Sequence, residues 1–300
     1  VDIHISRLTK RYRSGVTALS GLTLDVPAGM YGLLGANGAG KTTLMRILAG
    51  VLRPTSGSVR VGGHDLGTAA GRRGVQQALG YLPQELGLYP DLTARGFLDY
   101  IGLLKGVGPT ARRRDQVAEL LALTALTEAA DRKIGGFSGG MKRRVGIAQA
   151  LLGDPTLLIV DEPTAGLDPE ERIRFRNLLA QLAGDRTVLL STHIVEDVAS
   201  TCRQLAILSA GRLLYAGSTQ GVIDAARGRT WTVRLPVGVA PQGDLTVVSA
   251  LQHGDGVGYR VVSSGAYPVE GEPAEPTLED GYLAVVRGGP ATGLDRTGAA

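Results

Sequence analysis

An α/β fold is the class this sequence predicts, and three observations carry the prediction. The stretch "MYGLL" (30–34) is a short apolar strand that runs into the glycine loop "GANGAG" and on into the helix-spaced segment "TTLMRILAG" (42–50). From residue 138 onward, helices and strands alternate. Between these regions, from about Asp91 to Lys133, the apolar spacing becomes helical, as an insertion within such a fold would read.

The elements follow in chain order. "DIHIS" and "LTLDV" alternate as half-buried strands do, and "ALGYLP" (78–83) reads as another strand. "TARGFLDYIGLLKG" and "ARRRDQVAELLALTAL" place apolar residues three and four apart, the helical period. A helix runs from 138 to Leu152, and strand "TLLIVDE" (156–162) follows it. Asp168 and Pro169, with two glutamates behind them, open the next helix, because an acidic cap and a proline both suit a helix N-terminus. Strand "TVLLSTH" (187–193), helix "IVEDVASTC" and a hairpin over 205–217 complete this part. After Gly228, "TWTVRLP", "LTVVSAL" and "GYRVVSS" alternate like antiparallel strands. "PTLEDGYLAVVRG" then reads as a helix with Thr277 and Asp280 in a capping-box relation. The expected organisation is a main domain over 1–228 with a helical subdomain at about 91–152. A small α+β unit is expected at 229–287 and a disordered tail at 288–300.

Bulk numbers set bounds on function. The chain has 300 residues, 43% hydrophobic and 20% charged, ordinary values for a folded protein with ample core. The net charge of +4 is carried mostly by arginine; it fits an anionic partner or a mere compositional habit. The single cysteine, Cys202, excludes an intrachain disulfide framework. No stretch reads as a signal peptide or a membrane span, so membrane association is expected through a partner.

Chemistry concentrates in a few motifs. "GANGAGKTT" (35–43) has the spacing of a phosphate-binding loop, between a strand and a helix as that motif requires. Gly35, Gly38 and Gly40, with Asn37 and Ala39, allow a tight loop whose N–H groups converge on a phosphate. Lys41 neutralises the β- and γ-phosphates, Thr42 can ligate Mg²⁺, and Thr43 extends the helix start. "LLIVDEP" (157–163) is a buried strand ending in two carboxylates: Asp161 to hold Mg²⁺ and Glu162 to polarise an attacking water. Gln84 ends its own strand, where its amide reaches Mg²⁺ or the water, or else remains a surface glutamine. His193 stands at a third strand end, where a neutral imidazole can hold Glu162 in register; a plain surface histidine is the other reading. Tyr12 is either a base-stacking ring or a turn tyrosine. "GGFSGGMKRR" (135–144) offers a second anion-ready helix start, with Ser138, Gly139 and Gly140 at its head.

Taken in order, Tyr12, GANGAGKTT, Gln84, FSGGM, LLIVDE, AGLD and His193 resemble the nucleotide-binding subunits of ABC transporters, over about residues 2–222. The resemblance implies a P-loop NTPase cassette with a RecA-like mixed-sheet core, an antiparallel β subdomain and a helical subdomain. It matches Tyr12 to the adenine-stacking loop, Gly35–Thr43 to Walker A and Gln84 to the Q-loop. Ser138, Gly139 and Gly140 match the signature, Asp161 and Glu162 Walker B and the catalytic glutamate, Asp168 the D-loop, and His193 the switch histidine.

It also implies ATP and Mg²⁺ as cofactors, and a second ATPase subunit whose signature closes over this chain's ATP. A separate membrane permease then anchors the pair at the cytoplasmic face, with no direct nucleic-acid partner. The usual signature is LSGGQ; here Met141 stands where the glutamine amide would be. "FSGGMKRR", "PTAGLDPEERIRF" and the C-terminal unit look like ATPase subunits of ABC-2 type exporters, the class of daunorubicin-resistance-like efflux systems of drug-like or lipid-like substrates. "LGLYPDLT" after Gln84 is the expected permease contact, with Leu88 and Tyr89 exposed. Translation-type relatives carry two cassettes in one chain, and DNA-repair types insert a long coiled coil; neither feature is present here. A regulatory nucleotide-binding module is the remaining alternative, disfavoured by an intact Glu162.

Overall fold

Alternating apolar side chains build the first sheet. The computed structural model describes residues 1–182, 184, 186–264 and 271–288. In it β1 (Ile3–Arg11) pairs antiparallel with β2 (Thr17–Val26), turning Ile3, Ile5, Leu8, Leu22, Leu24 and Val26 to one buried face. Next come β3 (Met30–Leu34), α1 (Lys41–Leu48), β4 (Ser56–Val61) and β5 (His64–Asp65). Strand β4 adds to the free edge of β1, giving the order β2-β1-β4-β5. Helix α2 (Ala69–Ala78) had no sequence signal. Its segment "AAGRRGVQQA" buries only Gly71 and Val75, and its start is fixed by the Thr68 hydroxyl accepting from Gly71 N–H at 2.9 Å.

A six-stranded sheet positions everything functional. β6 (Leu79–Leu82) precedes the helical insertion of α3 (Ala94–Leu104) and α4 (Thr110–Leu123), with α5 (Gly139–Leu151) returning the chain to the sheet. Then follow β7 (Leu157–Asp161), α6 (Pro169–Leu182), β8 (Thr187–Thr192), α7 (Val195–Thr201), β9 (Gln204–Ser209) and β10 (Arg212–Ser218). The order is β10-β9-β3-β8-β7-β6, all parallel except the terminal β10–β9 hairpin. Alternate residues feed two cores. Leu33, Ile159 and Leu189 face α1 and the first sheet, whereas Leu34, Leu158, Val160, Val188 and Leu190 face α5 and its neighbours. Burial on both faces explains why these strands are unbroken apolar runs. Because β3, β6, β7 and β8 are parallel, the glycine loop, Gln84, Glu162 and His193 all emerge at one edge of the sheet.

The insertion is tied down by buried polar groups. Arg113 on α4 reaches Asp99 on α3 at 2.7 Å, and Gln116 bridges Asp154 and the Gly153 N–H at 3.0 Å each. Among the described residues, no helix is long and apolar enough to cross a membrane.

Beyond β10 come α8 (Thr219–Asp224), β11 (Thr230–Pro236), β12 (Leu245–His253), β13 (Gly256–Ser263), β14 (Glu272–Pro273) and α9 (Leu278–Gly288). The third sheet runs β12-β13-β11-β14. Thr277 and Asp280 cap α9 reciprocally, and Arg260 pairs with the buried Asp280 at 2.6 Å. Residues 229–287, expected as a small α+β unit, meet the preceding residues through α9, which packs across α8 and α7. Its Leu278 and Val285 share the core of the central sheet with Val198, Cys202 and Val222. Helix α9 runs through Gly288, and the rest of the expected tail lies outside the described residues. At Gly281 a Cβ would collide with the Val222 carbonyl, so α9 lies backbone to backbone against α8. Gly281→Ala is therefore expected to cost about 1–3 kcal/mol through overpacking. A chemical-denaturation midpoint equal to that of the parent chain would contradict this packing.

Candidate functional site

The glycine loop is shaped by what its residues cannot carry. A Cβ on Gly35 would sit 2.5 Å from the Leu208 carbonyl oxygen, and one on Gly40 would sit 2.5 Å from that of Ala18. Gly38 and Gly40 take φ of +82° and +102°, a region that L side chains avoid. The loop closes through Ala39 N–H to the Ala36 carbonyl, and the Ala39 carbonyl accepts from Gly211. Helix α1 starts with no side-chain cap, so the N–H groups of Lys41, Thr42 and Thr43 have no acceptor within the helix. This is a cradle for an anion. At its mouth the Tyr12 hydroxyl lies 3.2 Å from Thr43 Oγ1, leaving the ring partly exposed beside the first turn of α1.

Lys41, from the start of α1, meets Glu162 and His193, each just past the end of a strand. Lys41, 5% exposed, donates to the Gly35 carbonyl at 2.6 Å and the Ala36 carbonyl at 3.3 Å. Its Nζ also stands 3.1 Å from Glu162 Oε1, an ion pair without hydrogen-bond alignment. Glu162 Oε2 meets His193 Nδ1 at 2.6 Å. Glu162 itself has φ +48°, a left-handed conformation uncommon outside glycine, held by its N–H bond to the Ser191 carbonyl at 2.8 Å. The structure thus joins three residues that lie far apart in sequence.

Asp161 is fully buried, and no aligned donor reaches either carboxylate oxygen. Burial raises its pKa. The Ser191 and Thr42 hydroxyls oppose the shift, Glu162 adds to it and Lys41 counters it. A buried carboxylate with unsatisfied oxygens beside the Thr42 hydroxyl suits a divalent cation, so the donor set fits Mg²⁺.

Other candidates stand apart. The Gln84 side chain is exposed and makes no hydrogen bond among the described residues; only its carbonyl is held, by Arg143. Ser138 caps α5, its Oγ accepting from Met141 N–H at 3.2 Å, and Gly139 and Gly140 form the first turn. No hydrogen bond or ion pair among the described residues joins these three to the glycine loop. Gly140 leaves room for Glu171, whose carboxyl carbon would lie 3.1 Å from a Cβ there. The Asp168 carboxylate caps α6 by accepting from Glu171 N–H at 2.8 Å, and Met141 packs against the core. Of the two expected contact residues after Gln84, Tyr89 is half exposed and Leu88 is not. Leu88 packs on the core, because its turn folds back over Phe97.

Two residues were missed. Arg143, buried in α5, gathers five backbone carbonyls. Asp197, also buried, accepts from Thr164 and Thr192 and so ties the turn after Glu162 to the end of β8. "KRR" did show a basic helix start, but helical phase alone does not say which arginine turns inward.

Residues 19–165 match the family described as ABC transporter. The chain is 40% identical over 188 residues to the "Uncharacterized ABC transporter ATP-binding protein YxlF" of Bacillus subtilis, a match covering 63% of this chain and 61% of that one, less than two thirds of its length. It is 38% identical over 228 residues to the "Nod factor export ATP-binding protein I" of Burkholderia orbicola, covering 75% and 74%. Among solved structures, the dimeric ATP-binding cassette MJ0796 bound to ADP and Pi superposes with a TM-score of 0.67 at 25% identity, over 72% of this chain and 98% of that one. The chain belongs to the ABC transporter ATP-binding family.

Because desolvation dominates at Asp161, removing its charge relieves the resting protein. Asp161→Asn is expected to raise the melting temperature of the nucleotide-free chain by about 2–4 °C, the equivalent of ~1 kcal/mol for a domain of this size. A lowered melting temperature would show that the carboxylate is a net stabiliser.

Proposed function

We propose that this chain is the ATP-hydrolysing subunit of an ABC transporter, active as a pair that closes around two ATP molecules and drives a permease carried on a separate chain. The family membership supports the nucleotide, and one observation carries the chemistry: Lys41, Glu162 and His193 in contact beside an anion cradle. The N–H groups at the start of α1 take the β-phosphate, and Lys41 exchanges the Gly35 and Ala36 carbonyls for the β- and γ-phosphates. Thr42 and Asp161, with Gln84, would hold Mg²⁺, which would supply neutralising charge to those phosphates. The Tyr12 ring stacks on the adenine.

Freed from Lys41, Glu162 Oε1 accepts a proton from the attacking water, while His193 Nδ1 keeps the carboxylate oriented through Oε2. The other imidazole nitrogen is then available to the γ-phosphate. Ser138, Gly139 and Gly140 of the second copy cover that phosphate, with Asp168 beside them. Their place at the head of α5, with Ser138 and Gly139 exposed and no hydrogen bond or ion pair to this chain's own cradle among the described residues, supports that pairing.

An exposed strip of Tyr89, Tyr100, Leu103 and Leu104 beside the Gln84 turn supports docking of the permease. The protein then sits peripherally at the cytoplasmic face of the membrane, with no direct nucleic-acid partner. The likeness to an export ATP-binding protein supports ABC-2 type export of a drug-like or lipid-like substrate. Glu162→Gln is expected to cut ATP turnover at least ~10²-fold while leaving ATP binding intact. Turnover near that of the parent chain would overturn the assignment.

A further inference from the structure

We propose that Arg143 is a positioning residue for Glu162: its guanidinium pins the turn carrying Gln84 and the turn carrying Glu162 to the helix that begins with Ser138–Gly140. The inference rests on the ATP-hydrolysis reading above.

Arg143 is 6% exposed, and each of its five N–H groups has one carbonyl acceptor available. Nη1 donates to Pro83 at 3.2 Å and Gln84 at 2.8 Å. Nη2 donates to Asp161 at 3.0 Å and Glu162 at 2.6 Å, and Nε donates to Pro163 at 2.9 Å. Three successive carbonyls, of residues 161, 162 and 163, therefore converge on one group. An extended strand cannot do this, because its carbonyls alternate in direction. The left-handed turn at Glu162, φ +48°, brings them together, and that turn also aims the carboxylate at Lys41 and His193. A strained backbone persists only where its surroundings over-determine it, and here the guanidinium does so. Lysine, with three donors and no fixed fork, cannot replace it.

The same fork holds the Gln84 carbonyl. A displacement of that turn therefore moves the Glu162 turn with it, and both are referred to α5. Burial pulls the Arg143 pKa down while the Asp161 and Glu162 carboxylates push it back up, so its charge also lies behind the acidic pair.

The test uses the full chain with Arg143→Gln, and with Arg143→Lys in case the first variant folds poorly. Turnover of ATP is expected to fall roughly 10²-fold, with ATP affinity changed less than ~3-fold. On a Glu162→Gln background, Arg143→Gln is expected to lower the residual single-turnover rate by less than ~2-fold, since the two residues act as one unit. A structural role alone would instead multiply the two losses. Independently of hydrolysis, amide exchange in the nucleotide-free Arg143→Gln chain is expected to rise together in peptides covering 84–86 and 161–165.

Parent-like turnover in both variants, multiplicative losses, loss of ATP binding in both, or exchange that rises in one segment without the other would overturn the proposal. A parent chain with no ATPase activity, or a Glu162→Gln chain that keeps it, would instead count against the functional reading, and the exchange measurement would still decide the role of Arg143.

Discussion

A buried ammonium facing a buried carboxylate at the edge of a parallel sheet is the constraint on which the rest of this structure depends. Lys41 and Glu162 stand 3.1 Å apart, each about 5% exposed, with a second carboxylate, Asp161, adjacent and the Arg143 guanidinium behind. Taking such charges from water is costly, and only close geometry with satisfied neighbours offsets it. The parallel register supplies that geometry: β3 delivers the glycine loop and Lys41, β7 delivers Asp161 and Glu162, and β8 delivers His193. Removing one partner would strand the other charge, so the pair acts as a unit.

The resting arrangement also implies a competition. Lys41 is occupied by Gly35, Ala36 and Glu162, the very contacts a nucleotide phosphate would have to replace. A phosphate that took over Lys41 would leave Glu162 Oε1 without its ammonium, while His193 holds the second carboxylate oxygen. Ser138, Gly139 and Gly140, which share no hydrogen bond with this centre among the described residues, lie at the head of α5, the first two exposed and Gly140 against Glu171. In the proposed reading a twofold pair would set the head of α5 of one copy against the cradle of the other.

Much of this was legible in the sequence, and the failures have physical causes. Strands buried on both faces, such as "LLIVD", announce themselves by apolar runs, so β3, β7 and β8 fall within a residue or two of expectation. The glycine loop, Lys41, Glu162 and His193 were readable because their chemistry needs particular residue types at strand ends. Helix α2 was silent because it buries almost nothing. The inward turn of Arg143 was hidden because its partners are backbone carbonyls from three segments, which leave no mark on side-chain pattern. The change of pattern after Gly228 located the third sheet, but not the packing of α9 on α7 and α8, since the apolar stripe bearing Leu278 and Val285 does not name its partner.

The central claim is that one copy holds half of each reactive site. The most direct measurement is the ATPase rate per mole of purified chain across a wide dilution series, with the monomer–dimer balance followed in parallel. The account predicts a specific rate that falls toward zero as the dimer dissociates and tracks the dimer fraction throughout. A specific rate that stays constant down to concentrations where only monomer remains would contradict it.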